Sequence, residues 1–237
     1  SKEIVSNLIE LGYKVGFNLM QAGGRTADEL TSIAKEVSSW GGVDVLYFAD
    51  SLGNMDVNEV RRIIAALKVG WLGSLGIHTH NNKGAALDNC LAAISAGVTW
   101  VDCTMLGMGR GAGNAQTETL LLELNSYFDT NYNAASLYEL ALEEFSELQQ
   151  KYGWGANLLY HLAAEYEIHP TYIQEMISDG KYKTREILQA LEFIKPMSTK
   201  SFNPSLLSQA FSDSAKGNDG VWDVTGWCNG REVLVLA

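Results

Sequence analysis

Four short apolar segments, KVGFNLM (14–20), VDVLYFAD (43–50), GSLGIHTHN (73–81) and WVDCTML (100–106), begin about 30 residues apart, the length of one strand-helix-strand unit. Each is bounded by glycine or a polar turn, and each is apolar enough to be a strand buried in a parallel sheet. Helical patterns fill the intervals. Thr26 and Glu29 have the spacing of a capping box, and Gly41 and Gly42 stop that helix. Asp56 and Glu59 are placed in the same way ahead of VRRIIAALK, and residues 83–96 carry Ala, Leu and Ile at helical spacing up to Gly97. Through about residue 125 the chain therefore reads as a run of βα units. Such units form either an open doubly wound sheet or a closed barrel.

Beyond that point the pattern is helical, over 135–152, 157–167, 170–178 and 184–194, with a further strand only in REVLVLA at 231–237. A complete eight-stranded barrel takes about 250 residues. Four units account for half of one, and the other half is expected to be missing. The chain opens without a methionine and closes on an apolar strand, so both ends are expected to continue into a longer protein. The tail GWCNGREVLVLA reads as a linker leading into another domain.

Composition narrows the function. The formal net charge is −11, with 17 Lys and Arg against 28 Asp and Glu. That balance disfavours nucleic acid and anionic membrane surfaces as partners. No apolar run approaches the roughly 20 residues of a membrane span, and SKEIVSNLIELG lacks a signal-peptide pattern, so a cytoplasmic location is expected. Cys90, Cys103 and Cys228 are odd in number and lack CxxC spacing, which indicates neither a disulfide framework nor a zinc knuckle.

Two stretches carry chemistry. In GIHTHNN, His78 and His80 alternate on a strand and so point to one side, with Cα atoms roughly 6.5 Å apart. They are either a metal pair or ordinary hydrogen-bonded histidines, and they lie at the carboxyl end of the strand, where α/β folds build their sites. In GMGRGAGNAQTE (107–118), four glycines permit close backbone approach after a strand. This loop lacks the Lys-Ser/Thr of a P-loop, and no acidic residue follows at the end of a next strand, which disfavours a dinucleotide site.

Taken together, HTHNN and AAISAGVTWVDCTMLGMGRGAGNAQTE resemble the signature of the DRE-TIM metallolyase (HMGL-like) family, and its 4-hydroxy-2-oxovalerate aldolase-type domains in particular. The resemblance spans about residues 13–124 and includes FNLMQAG and ADSLGNM. It implies an α/β fold of TIM-barrel type, partial here over 1–125, with a C-terminal α-helical extension over 126–200 and a linker and the start of a further α/β domain over 201–237. It implies a divalent metal, Mn²⁺ first and Mg²⁺ or Zn²⁺ as alternatives, held by His78, His80 and Asn114. The implied activity is an aldolase or lyase that cleaves or forms 4-hydroxy-2-oxoacids through a metal-bound pyruvate enolate, with an aldehyde as the second substrate. Asp50, at a strand end, aligns with a family position near the metal, although capping the next turn suits it equally. Asn81 either supports the site or caps the following helix. Arg110 could meet a substrate carboxylate bidentately or form a surface ion pair.

The family's Asp-Arg-Glu-like first strand, which supplies a further metal ligand, has no counterpart before Lys14. In GWGANLLYHLAAEYEIHP, Asn157 stands where the aldolases carry a tyrosine, and Tyr160 is one turn away. Two rival readings follow. One is an acyl-CoA-dependent condensing enzyme of the same family. The other is a non-catalytic fragment or binding module. Unpaired barrel edges also suggest a homodimer.

Overall fold

A computed structural model describes residues 1–128, 130–197, 199, 201–214, 225–228 and 231–234. After a short helix α1 (Lys2–Glu10), four βα units follow in order: β1 (Val15–Leu19), α2 (Ala27–Trp40), β2 (Val43–Asp50), α3 (Val57–Gly70), β3 (Ser74–Thr79), α4 (Ala86–Ser95), β4 (Trp100–Asp102) and α5 (Thr117–Tyr127). All four strands are parallel and lie in the order β1-β2-β3-β4. An open doubly wound sheet reverses its strand order and carries helices on both faces. Here the order never reverses, and among the described residues helices pack on one face of the sheet, so the sheet is an arc of a TIM-type barrel.

The register explains which side chains are covered. Phe17, Leu46 and Leu75 lie across from one another, as do Leu19, Phe48 and Ile77. These outward residues pack against Leu30, Ala34 and Val37 of α2 and Val60, Ile63, Ile64 and Leu67 of α3 to form the main core. The alternate residues Gly16, Asn18 and Met20, then Tyr47 and Ala49, then Gly76 and His78, then Trp100 and Asp102, share the opposite face. In a closed barrel that face would be the interior. Here Met20 and Trp100 are half exposed on it.

The helix boundaries follow local chemistry. Thr26 accepts from the Glu29 backbone N–H while Glu29 reaches back to the Thr26 N–H, completing a capping box, and Asp56 caps α3 by accepting from the Glu59 N–H. The helix expected from residue 83 begins instead at Ala86. Gly84, at φ 77°, makes a turn, and Asn81 Oδ1 accepts from the Ala86 N–H.

A helical body follows: α6 (Ala135–Leu140), α7 (Ser146–Tyr152), α8 (Leu158–Glu165), α9 (Thr171–Asp179), α10 (Thr184–Ile194) and α11 (Pro204–Ser214). The helix expected over 135–152 is interrupted by a π-helical turn at Ala141–Phe145. A second core joins Tyr172, Ile173 and Met176 of α9 to Ile187, Leu191 and Ile194 of α10 and Ala210 of α11. The range read as a linker from residue 201 therefore begins with a helix of this body. Strand β6 (Arg231–Leu234) pairs antiparallel with β5 (Thr225–Cys228). Its predicted continuation over 235–237 lies outside the described residues. Among the described residues, no helix is long and apolar enough to cross a membrane.

Candidate metal centre

His78 and His80 project from the carboxyl end of β3 on the open face of the sheet. Their ring centroids are 5.0 Å apart and the planes meet at 85°, an edge-to-face arrangement. His78 Nδ1 lies 3.2 Å from Asp102 Oδ2, its register partner on β4. The Tyr47 phenol neighbours Asp102, and its pKa is pushed up to about 12 by burial first and then by the Asp102 carboxylate. His80 is more enclosed. Burial first, then the neighbouring His78 and the Arg110 charge, bring its pKa down to about 4, while Asn114 and the Gly113 carbonyl act weakly the other way. A neutral imidazole is the form that binds a cation.

The glycine loop delivers Asn114 to this pair. Its backbone bridges His80, and the Asn81 N–H donates to the Gly113 carbonyl at 2.8 Å. The turn also closes on itself, with the Asn114 N–H donating to the Gly107 carbonyl at 3.0 Å. Gly113 sits at φ 84°, and a Cβ there would lie 2.0 Å from the Gly107 oxygen, so no other residue fits. Asn114 Nδ2 donates to the Met108 carbonyl at 3.2 Å. Its Oδ1 is buried and, among the described residues, accepts no hydrogen bond.

A buried carbonyl oxygen without a donor beside two imidazoles fits a divalent cation. The N, N, O donor set suits Mn²⁺ or Zn²⁺ and leaves coordination positions open. Among the described residues, no group of three or more His, Cys, Asp and Glu surrounds a common point. Among the described residues the candidate site thus offers three donors and no carboxylate ligand.

The other residues read from the sequence are placed differently. Asp50 is the register partner of Thr79, not of His78, so it lies on the helix-covered face. Its two carboxylate oxygens accept from the Asn54 and Met55 N–H groups at 3.1 and 3.2 Å. Of the two roles open to it, the structure displays the turn cap. Asn81 likewise caps α4, as described above. Arg110 donates to Thr171 Oγ1 at 3.4 Å, and among the described residues no ion pair holds it. It stands between His80 and the helical body, close enough for its charge to lower the pKa of His169 as well. Asn157 caps α8 by accepting from the Leu159 N–H. Tyr160 packs its ring over Gly111 of the glycine loop. A cavity of about 520 Å³ opens at the ends of β1 and β2 between Gln21, Asp50, Asn54, Glu59 and Arg62, and none of the three metal donors lines it.

Asp102 and Tyr47 are the polar residues that the sequence reading passed over. The available signal is an acidic residue inside an otherwise apolar strand, WVDCTML.

A family model described as HMGL-like matches residues 1–142. The chain is 40% identical over 136 residues to a 4-hydroxy-2-oxovalerate aldolase of Carboxydothermus hydrogenoformans, covering 56% of this chain and 40% of that one. It is 44% identical over 117 residues to the 4-hydroxy-2-oxovalerate aldolase of Geobacillus genomosp. 3, covering 49% and 34%. The chain thus spans less than half the length of these curated relatives. Among solved structures, the N-terminal domain of a putative aldolase from Bacteroides vulgatus superposes with a TM-score of 0.70 at 28% identity, over 80% of this chain and 62% of that one. The carboxyl transferase domain of Rhizobium etli pyruvate carboxylase, solved with pyruvate and biocytin, gives 0.72 at 16% identity, over 90% and 39%. That second likeness speaks for the fold alone, and it extends the match through the helical body. A match over 142 consecutive residues, containing the histidine pair, the glycine loop and all four strands, assigns the chain: it belongs to the HMGL-like family.

Proposed function

We propose that this chain is the metal-binding part of a carbon-carbon lyase that cleaves or forms 4-hydroxy-2-oxoacids, with pyruvate and an aldehyde as the cleavage products. The observation that supports the reading is the placement of His78 and His80 side by side at the carboxyl edge of the sheet, with the backbone of Asn114 bridged to His80 and the Asn114 Oδ1 buried without a hydrogen-bond partner among the described residues. A divalent cation bound there, Mn²⁺ in the first instance, supplies Lewis-acid polarisation of a 2-oxo acid and stabilises negative charge on its oxygens. The protein's own contribution is placement. His80 stays neutral near neutral pH because it is enclosed, and the loop anchored at Gly107 and Gly113 holds Asn114 beside it. Arg110, without a carboxylate partner among the described residues, is positioned to receive a substrate carboxylate through paired N–H donors. The similarity to curated aldolases over the stretch containing these residues supports this choice of substrate class.

Exchange of the pyruvate methyl protons with deuterated water, followed by NMR, tests the reading without knowledge of the aldehyde. The expected result is Mn²⁺-dependent exchange that is lost in His78→Ala and in His80→Ala. Exchange that is independent of metal or unchanged in either variant would overturn it. One observation favours a second reading, a binding module without turnover: the donor set lacks a carboxylate. Tight Mn²⁺ binding without any exchange would select that reading.

A further inference from the structure

We propose that Asp102 is a positioning residue which, hydrogen-bonded to His78 Nδ1 and backed by the Tyr47 side chain in a rung across three strands, fixes His78 with its proton on Nδ1 and its Nε2 free for the cation. This rests on the reading of His78 as a metal ligand and adds how its orientation and tautomer are set.

The rung follows from the register. Ala49, His78 and Asp102 lie across from one another on β2, β3 and β4, with Tyr47, Gly76 and Trp100 one pair earlier on the same face. Small Ala49 cannot reach across β3. The Tyr47 ring does so instead, and its path explains a glycine in the middle of a strand. A Cβ on Gly76 would lie 2.5 Å from two Tyr47 ring carbons, so the ring passes directly over Gly76 on its way to β4. There its hydroxyl comes beside Asp102.

The Asp102 carboxylate, 47% exposed, is thereby steadied on one side by the phenol. On the other it meets His78 Nδ1 at 3.2 Å. An ionised carboxylate can only accept, so the ring nitrogen facing it carries the proton. The opposite nitrogen, Nε2, is left with its lone pair. A metal-ligating histidine commonly has its second nitrogen held in this way, and removing such a partner costs 10–100-fold in metal affinity. His80 has no counterpart to this carboxylate; its surroundings are the Asn114 amide and the Gly113 carbonyl. The two histidines are therefore oriented by different means, one through the sheet and one through the glycine loop.

Long-range ¹⁵N–¹H correlation spectra of the metal-free chain, at alkaline pH where imidazoles are neutral, report the tautomer directly. The expected result is His78 protonated on Nδ1 in the wild type and shifted toward the Nε2–H form in Asp102→Ala. The same variant should bind Mn²⁺ about 10–100-fold more weakly. Asp102→Glu should restore part of that loss. Tyr47→Phe, which keeps the ring over Gly76, should retain the tautomer with a smaller loss of affinity. Wild-type His78 protonated on Nε2, or an Asp102→Ala chain with unchanged tautomer and affinity, would overturn the inference. A His78→Ala chain that binds Mn²⁺ as the wild type does would instead refute the ligand reading, and the tautomer spectra would still judge the rung.

Discussion

At Asp50 two opposing effects meet. Three backbone N–H groups, of Gly53, Asn54 and Met55, favour the carboxylate, yet burial outweighs them and pushes its pKa up to about 6. The sign of the consequence is fixed by linkage. With its folded pKa above the ordinary unfolded value, Asp50 binds more protons in the folded state, so its contribution is fullest in acid and is lost as the pH rises through about 6. Relative to Asp50→Asn, the wild type should lose up to about 3 kcal/mol between pH 4 and pH 7. Urea unfolding of both chains at the two pH values measures this, and parallel stabilities would contradict it. Asp50 also marks where residue-scale reading of a sequence leaves two roles open. Its place at a strand end is evident from VDVLYFAD, but its face depends on the pairing register, and one residue's shift exchanges the two faces. Asp102 illustrates the converse. Nothing local in WVDCTML ties it to His78; the pairing of β3 with β4 does.

The elements were legible wherever a side chain talks to nearby backbone. The Thr26–Glu29 capping box and the Asp56 cap appear at the residues read from the sequence, because both depend on contacts three residues apart. Thr26→Ala should cost about 1 kcal/mol of stability by chemical denaturation, without altering metal binding. A change below a few tenths of that would mean that the box is not formed. The glycine loop is a stricter case, since its residues alone showed only permissiveness and Asn114 entered through the family resemblance. In the structure it is a closed turn whose backbone joins β3 and carries Asn114 to His80. Gly113→Ala should therefore both destabilise the protein by about 2 kcal/mol or more and weaken Mn²⁺ binding, because the added methyl group meets the Gly107 carbonyl at a strained φ. Retention of full affinity in a stable Gly113→Ala chain would detach Asn114 from the site. The π-helical turn at Ala141–Phe145 had no signal in the sequence pattern, and the structure supplies no physical account of it.

Over the whole molecule, the repeat spacing of the strands disclosed a parallel βα succession, but the choice between open sheet and barrel arc required the strand order. The helical body is fastened to the sheet's carboxyl end by a few polar contacts. Trp154 Nε1 donates to the Leu106 carbonyl, the Gly155 N–H donates to the Gly111 carbonyl, and Lys83 pairs with Glu165. These contacts meet the segment that follows β4, including the glycine loop, or the turn after β3, so the helices border the proposed centre. On the other side the sheet is bare. Among the described residues the outer edges of β1 and β4 pair with no strand, and Trp100 is 52% exposed on the inner face. Such edges favour association, and sedimentation equilibrium of this chain is expected to show a homodimer; a strictly monomeric profile would count against it. An electron paramagnetic resonance titration with Mn²⁺ addresses the metal centre without requiring turnover. One saturable Mn²⁺ site per chain is expected, lost in His78→Ala and His80→Ala and weakened in Asn114→Ala. Binding unchanged in either histidine variant would overturn the assignment of the site.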